Sequence, residues 1–170
     1  MVQAKRRAAF LDRDGTINRE VGFVTTPEQL ILEPGAAQAI RRLNDAGVLA
    51  IVITNQSAIA RRLIDDAMLA RIHERLAATL LADAGARLDA IYICPHHPDV
   101  APCDCRKPLP GLIERALRDH DVDRAQSVLF GDMPRDLEAA RAAGVAAVHV
   151  SATHSLARAV ADWLDGSHVD

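Results

Sequence analysis

At 170 residues the chain has the size of one ordinary domain, long enough to bury a substantial core, and a second full domain is not expected. About half of it is apolar (49%), but no uninterrupted run of roughly 18 apolar residues occurs to form a membrane-spanning helix, and the start MVQAKRRAAF reaches Asp12 too soon to contain a secretory hydrophobic region. The net charge of −3 is dispersed without a basic stripe, which argues against nucleic-acid binding by phosphate neutralisation and leaves small anionic ligands as the expected partners of a cytoplasmic, monomeric protein.

In chain order, a strand in "RAAFLDRD" is followed, after the turn "LEPG", by a helical pattern over 35–46 that "DAG" closes. The strand "VLAIVITN" precedes a helix over 60–84, in which Leu69, Ile72, Leu76 and Leu80 recur at spacings of three and four and mark a core-facing stripe. "AIYIC" then leads to a helix over 110–120, and "SVLFGD" to one over 134–143. "AAGV" turns into the last strand, "AAVHV", and a helix over 155–164, and the tail "DGSHVD" offers little to dock and is expected to fray. This alternation predicts an α/β fold: a Rossmann-like parallel sheet of about five strands with helices on both faces, over residues 1–170 as one domain. No segment between the strands is long enough for a separate cap domain, so short loops are expected to set specificity.

The unusual residues collect at strand ends. Asp12 with Asp14, Thr54 with Asn55, Cys94, and Gly131 with Asp132 stand at or just beyond the carboxyl ends of four of the five strands, the edge where parallel sheets bind ligands. Asp-Gly is also a common turn pair, and "GDMPRD" also reads as a helix start with Pro134 in the first turn. Three carboxylates, Asp12, Asp14 and Asp132, crowded at one edge call for a cation among them, and oxygen ligands beside a phosphate select Mg²⁺. Asp12, ending its strand rigidly, is the candidate nucleophile. Asp14, two residues on and pointing to the same side, is the candidate general acid that later activates water.

"ITNQS" at 53–57 supplies a hydroxyl, an amide and backbone N–H groups suited to an anionic oxygen. Of twenty basic residues only Lys5 and Lys107 are lysines. A lysine in so arginine-rich a chain points to a compact charge placed for phosphate, with the planar fork of Arg106 beside it.

The three cysteines, Cys94, Cys103 and Cys105, lie within twelve residues, a poor disulfide framework. "CPHHPDVAPCDCRKP" reads as C-x-H then C-x-C, and four soft or borderline ligands so close suit a structural, tetrahedral Zn²⁺ held by Cys94, His96, Cys103 and Cys105 in a loop over 94–105. His97 is the rival imidazole, and the mirror spacing favours His96. Asp104 and the prolines argue against burial of this loop, which would fix Arg106 and Lys107 relative to the phosphate.

Together "DRDGT", "TNQS", Lys107 and "GDMPRD" resemble, in order and over nearly the whole chain, the four motifs of the haloacid dehalogenase superfamily of phosphotransferases. Within it, "FLDRDGTIN", "G-F-V", "TNQSAIAR", "CPHHP" and "CDCRKP" are similar to the D-glycero-D-manno-heptose bisphosphate phosphatases, whose sister family is the histidinol-phosphate phosphatases. The resemblance implies removal of the C7 phosphate of a heptose 1,7-bisphosphate, on the way to cell-surface polysaccharide, through an aspartyl-phosphate on Asp12. It implies Asp14 as acid and base and as a backbone-carbonyl Mg²⁺ ligand, with Asp132 a further Mg²⁺ ligand. Thr54 and Lys107 would stabilise the phosphoryl group. Arg106 would recognise substrate, helped by Glu20, Val21, Gly22 and Phe23 and by Asn55, Gln56 and Ser57. Two features depart from the pattern: Met133 stands where the heptose branch often carries lysine, and the stretch from His96 to Cys103 is shorter than in many members.

Overall fold

The computed structural model describes residues 5–99 and 102–167. Five strands, β1 (Ala8–Leu11), β2 (Leu49–Asn55), β3 (Ala90–Cys94), β4 (Val128–Gly131) and β5 (Ala146–His149), form one parallel sheet in the order β3-β2-β1-β4-β5. Five helices connect or follow them: α1 (Ala36–Asp45), α2 (Asp66–Ala84), α3 (Gly111–Asp119), α4 (Pro134–Ala142) and α5 (Leu156–Leu164). The expected architecture is present, with no separate cap among the described residues.

The central strands are apolar on both faces because both are covered. Ala9, Leu11, Ala50, Val52, Val128 and Phe130 pack with the buried faces of α1, α2 and α5. Their neighbours in sequence, Ala8, Phe10, Leu49, Ile51, Ile53 and Leu129, pack with α3 and α4 on the other side. A period of two with both phases apolar yields the continuous hydrophobic runs seen in the sequence. The stripe Leu69, Ile72, Leu76 and Leu80 is buried as predicted.

Helix α2 begins at Asp66, not at 60. Arg62 takes a positive φ of 57°, breaking any helical run, and Asp65 then caps the new start by accepting the Met68 N–H at 2.8 Å. The tail expected to fray lies partly, at 168–170, outside the described residues, as does the start at 1–4. Its first half folds back onto α5: Gly166 adopts a φ of 74°, and the Ser167 N–H reaches the Asp162 carbonyl at 2.9 Å.

From β1 the chain winds outward to β2 and β3, crosses back to β4, and continues to β5. The direction of winding reverses between β1 and β4, and at that switch point a crevice opens beyond the strand ends.

Candidate active site

Asp12 follows β1 directly and still takes part in the sheet, donating its N–H to the Phe130 carbonyl at 3.0 Å. The chain then turns sharply, the Arg13 carbonyl accepting from the N–H groups of Ile17 and Asn18 at 2.8 and 3.1 Å, so Asp12 and Asp14 enter one cavity from the two sides of a tight loop. That cavity, about 230 Å³, is also lined by Thr54, Gln56 and Ser57 from β2 and the loop after it, and by Lys107 from the connection between β3 and α3. Glu20, Gly22, Phe23, Asn55 and Arg106 complete the part that the sequence predicted. Val21 is exposed and does not line it.

Lys107 is buried at the centre. Its Nζ lies 2.7 Å from Asp12 Oδ1 and 2.7 Å from Asp136 Oδ1, and donates to the Ile53 carbonyl at 2.8 Å. Burial alone would lower the lysine, but the two carboxylates hold it above its ordinary value. Burial pushes the Asp12 carboxyl up to about 7, against the pull of Lys107 and with the added repulsion of Asp136. Asn55, expected to meet substrate, uses both ends of its amide on the Lys107 main chain: Nδ2 donates to the carbonyl at 3.2 Å and Oδ1 accepts from the N–H at 3.1 Å.

Asp14 is gripped differently. Its Oδ1 accepts from Arg13 Nε and Nη2 at 3.2 and 2.9 Å and from Asn18 Nδ2 at 2.9 Å, while Oδ2 accepts from Gln56 Nε2 at 2.8 Å. Gln56 Nε2 also donates to Thr54 Oγ1 at 2.9 Å, tying the two loops together.

The carboxylates that crowd are therefore not the trio expected. Side-chain oxygens of Asp12, Asp132 and Asp136 lie within 4.8 Å of one another, whereas the Asp14 carboxylate faces Arg13, Asn18 and Gln56. Asp132 Oδ1 is buried without a hydrogen-bond partner. An orphaned carboxylate oxygen beside two further carboxylates is a hard-oxygen donor set suited to a divalent cation. Gly15 makes room for it: at a φ of 83°, any Cβ there would run into the Asp132 carboxylate.

Asp136, read from sequence only as part of a helix start, does two things. Its Oδ2 accepts the Met133 N–H at 3.0 Å, capping α4, while Oδ1 pairs with Lys107. The signal was its position four residues after Asp132, one helical turn on. Arg61 and Arg135 also line the cavity unforeseen; with Arg106 and Lys107 they give it a cationic wall, and Arg61 rests 5.5 Å over the Phe23 ring.

Beyond β3, Cys94, His96, Cys103 and Cys105 bring their ligand atoms within 4.8 Å of one another. Cys94 Sγ is 3.9 Å from Cys103 Sγ and 3.5 Å from His96 Nδ1, and His96 Nδ1 is 3.2 Å from Cys105 Sγ. A tetrahedron with metal–sulfur bonds of about 2.3 Å has sulfur–sulfur edges of about 3.8 Å, so the spacing fits zinc. His97 instead accepts the Asp99 N–H at 3.1 Å. Contrary to expectation, Cys94 and Cys105 are buried, packed against Phe10, Ile53 and Leu112 while Asp104 stays outside. Burial pushes both thiols up, a cost that a bound cation would offset. Arg106 Nη1 donates to the His96 carbonyl at 3.2 Å, linking this cluster to the cavity.

Comparison with known proteins agrees with this geometry. The protein-family model "haloacid dehalogenase-like hydrolase" matches residues 2–144. The D-glycero-beta-D-manno-heptose-1,7-bisphosphate 7-phosphatase of Bordetella bronchiseptica is 47% identical over 138 residues, covering 81% of this chain and 76% of that one. The enzyme of that name from Yersinia pestis is 37% identical over 173 residues, covering 96% and 92%. The crystal structure of D,D-heptose 1,7-bisphosphate phosphatase from B. bronchiseptica with magnesium and phosphate superposes with a TM-score of 0.87 at 38% identity, covering 94% of this chain and 99% of that one. On its fold, its strand-end carboxylates and these matches, the chain belongs to the haloacid dehalogenase-like hydrolases.

Proposed function

We propose that this chain is a phosphoric monoester hydrolase that removes the C7 phosphate of D-glycero-D-manno-heptose 1,7-bisphosphate through an aspartyl-phosphate on Asp12. The observation that carries the chemistry is Asp12 and Asp14 opening into one cationic cavity, with Lys107 buried against the first and Arg13 against the second. The substrate rests on relatives of 37% to 47% identity that carry that enzyme's name.

Lys107 and Arg106 draw the substrate phosphate into the cavity, and Lys107 aims Asp12 and favours its ionised form against the burial that opposes it. An Asp12 carboxylate oxygen attacks phosphorus as the bond to the C7 oxygen breaks, and Asp14 gives that oxygen its proton. Asp14, now a carboxylate, takes a proton from water as the water attacks phosphorus. The Asp12–phosphorus bond breaks, phosphate leaves, and both carboxyl groups return to their starting states. Thr54 Oγ1 and the loop 54–57 offer hydrogen bonds to the phosphoryl oxygens. Mg²⁺, when held by Asp12, Asp132 and the Asp14 main chain, supplies charge neutralisation to those oxygens. Cys94, His96, Cys103 and Cys105 would hold a Zn²⁺ in a structural role, fixing their loop. Arg61, Arg106 and Arg135 suit the second anionic group of a bisphosphate, and the absence of a cap among the described residues leaves space for a sugar of seven carbons.

Mg²⁺-dependent phosphate release from each anomer of heptose 1,7-bisphosphate and from histidinol phosphate tests this reading. Preference for a heptose anomer is expected, with release abolished in Asp12→Asn while the fold survives. Preference for histidinol phosphate would overturn the substrate, and full activity of Asp12→Asn would overturn the nucleophile.

A further inference from the structure

Arg13 has no solvent exposure, although it lies between the two aspartates. Two of its nitrogens converge on Asp14 Oδ1, at 3.2 and 2.9 Å, and a third, Nη1, meets His73 Nε2 on α2 at 3.1 Å. Guanidinium nitrogens only donate, so His73 Nε2 is the unprotonated nitrogen and its lone pair faces Arg13. With Asn18 Nδ2 also at 2.9 Å, Asp14 Oδ1 receives three N–H groups and is saturated. Oδ2, with Gln56 as its one donor, retains a lone pair.

We propose that His73 is a positioning residue for proton transfer at Asp14: it fixes the roll of the Arg13 guanidinium, and Arg13 holds Asp14 with Oδ1 masked and Oδ2 as the atom that exchanges protons. The inference rests on Asp14 being the acid and base. The proton moves from Asp14 Oδ2 to the leaving oxygen as its bond to phosphorus breaks, and returns to Oδ2 from the attacking water. His73 exchanges none. It sits sixty residues from Arg13 in sequence and joins the site only because α2 packs beside the β1 loop.

A misplaced acid is felt in proportion to the basicity of the leaving oxygen. A sugar alkoxide needs its proton as the bond breaks, whereas p-nitrophenolate leaves without one. The measurement is kcat/KM for the heptose bisphosphate and for p-nitrophenyl phosphate, with Mg²⁺, in the wild type, His73→Leu, His73→Gln and Asp14→Asn. His73→Leu is expected to lower kcat/KM on the sugar phosphate about tenfold to a hundredfold, a part of the roughly 10²–10⁴-fold that general acid catalysis supplies, and on the aryl phosphate less than about threefold. His73→Gln, whose amide oxygen can accept from Nη1, is expected to recover most of the loss, and Asp14→Asn to show the same selectivity in larger measure. Equal losses on both substrates in His73→Leu, or none while Asp14→Asn stays selective, overturns the role of His73 alone. Asp14→Asn acting alike on both overturns the assignment of Asp14, and the inference with it. Should leucine prevent folding, His73→Ala carries the same expectation and the same refutation.

Discussion

Lys107 bears the most at the scale of single residues, because two buried carboxylates depend on it. Lys107→Met leaves Asp12 and Asp136 facing each other without their cation. Removing one partner of a buried ion pair costs about 3–5 kcal/mol. Urea unfolding without divalent cations should show a loss of that order at neutral pH, shrinking in mild acid as the orphaned carboxyls take up protons. A loss of the same size at both would place the effect in packing. His73 gives a dependence in the same direction from a different cause. Burial, then the charge of Arg13, pushes it down from 6.5 to about 4, so the folded state favours its neutral form. A group whose folded value lies below its unfolded one stabilises fully above the unfolded value and loses that contribution as pH falls. The stability advantage of wild type over His73→Gln should therefore be full above pH 6.5 and vanish toward pH 4, read from urea midpoints. Asp12, Asp14, Asp132 and Lys107 were legible in the sequence because strand-end carboxylates and a rare lysine stand out against their background. Arg13, Asp136 and His73 were not, since their significance lies in contacts across 60 residues, between Arg13 and His73, and across 29 residues, between Lys107 and Asp136, that no local pattern announces.

Among the elements, the loop after β3 matters most to the site's position. Cys94 ends an edge strand, Cys105 packs beside α3, and the next two residues are Arg106 and Lys107, so the cysteine cluster fastens the strand, the helix and the phosphate-facing cations at one point. Cys103→Ser should lower zinc content below that of the wild type and reduce kcat/KM by about tenfold, in keeping with the cost of disturbing a metal's supporting shell. Zinc analysis of the purified variant beside phosphate release checks both, and unchanged zinc content would remove Cys103 from the ligand set. The ligand spacing announced this cluster from the sequence. The start of α2 was less legible, because "IARRLIDD" has helical composition throughout and only the positive φ of Arg62 and the cap at Asp65 divide it. Composition records propensity, and the turn depends on the packing of the loop against the cavity.

For the whole molecule, the crevice exists because the winding reverses between β1 and β4, and the loops leaving those two strands must approach without side chains between them. The alternation of strands and helices made the five-stranded parallel sheet legible. The closeness of the two loops was not, as it depends on which strands become neighbours. Gly15 is the point of contact, and Gly47, at the opposite edge between α1 and β2, is its natural control. Both hold positive φ, 83° and 69°, so alanine at either should cost about 1 kcal/mol or somewhat more in backbone strain. A Cβ at Gly47 meets nothing within 4 Å, whereas at Gly15 it collides with the Asp132 carboxylate. If that carboxylate helps to hold the cation, Gly15→Ala should raise the Mg²⁺ concentration for half-maximal activity about tenfold, while Gly47→Ala, losing comparable stability, leaves it unchanged. Magnesium titrations of phosphate release for the two variants beside their thermal unfolding separate the effects. Equal Mg²⁺ requirements in both would show that the approach of β1 to β4 serves the fold alone and that Asp132 can move without consequence for the metal.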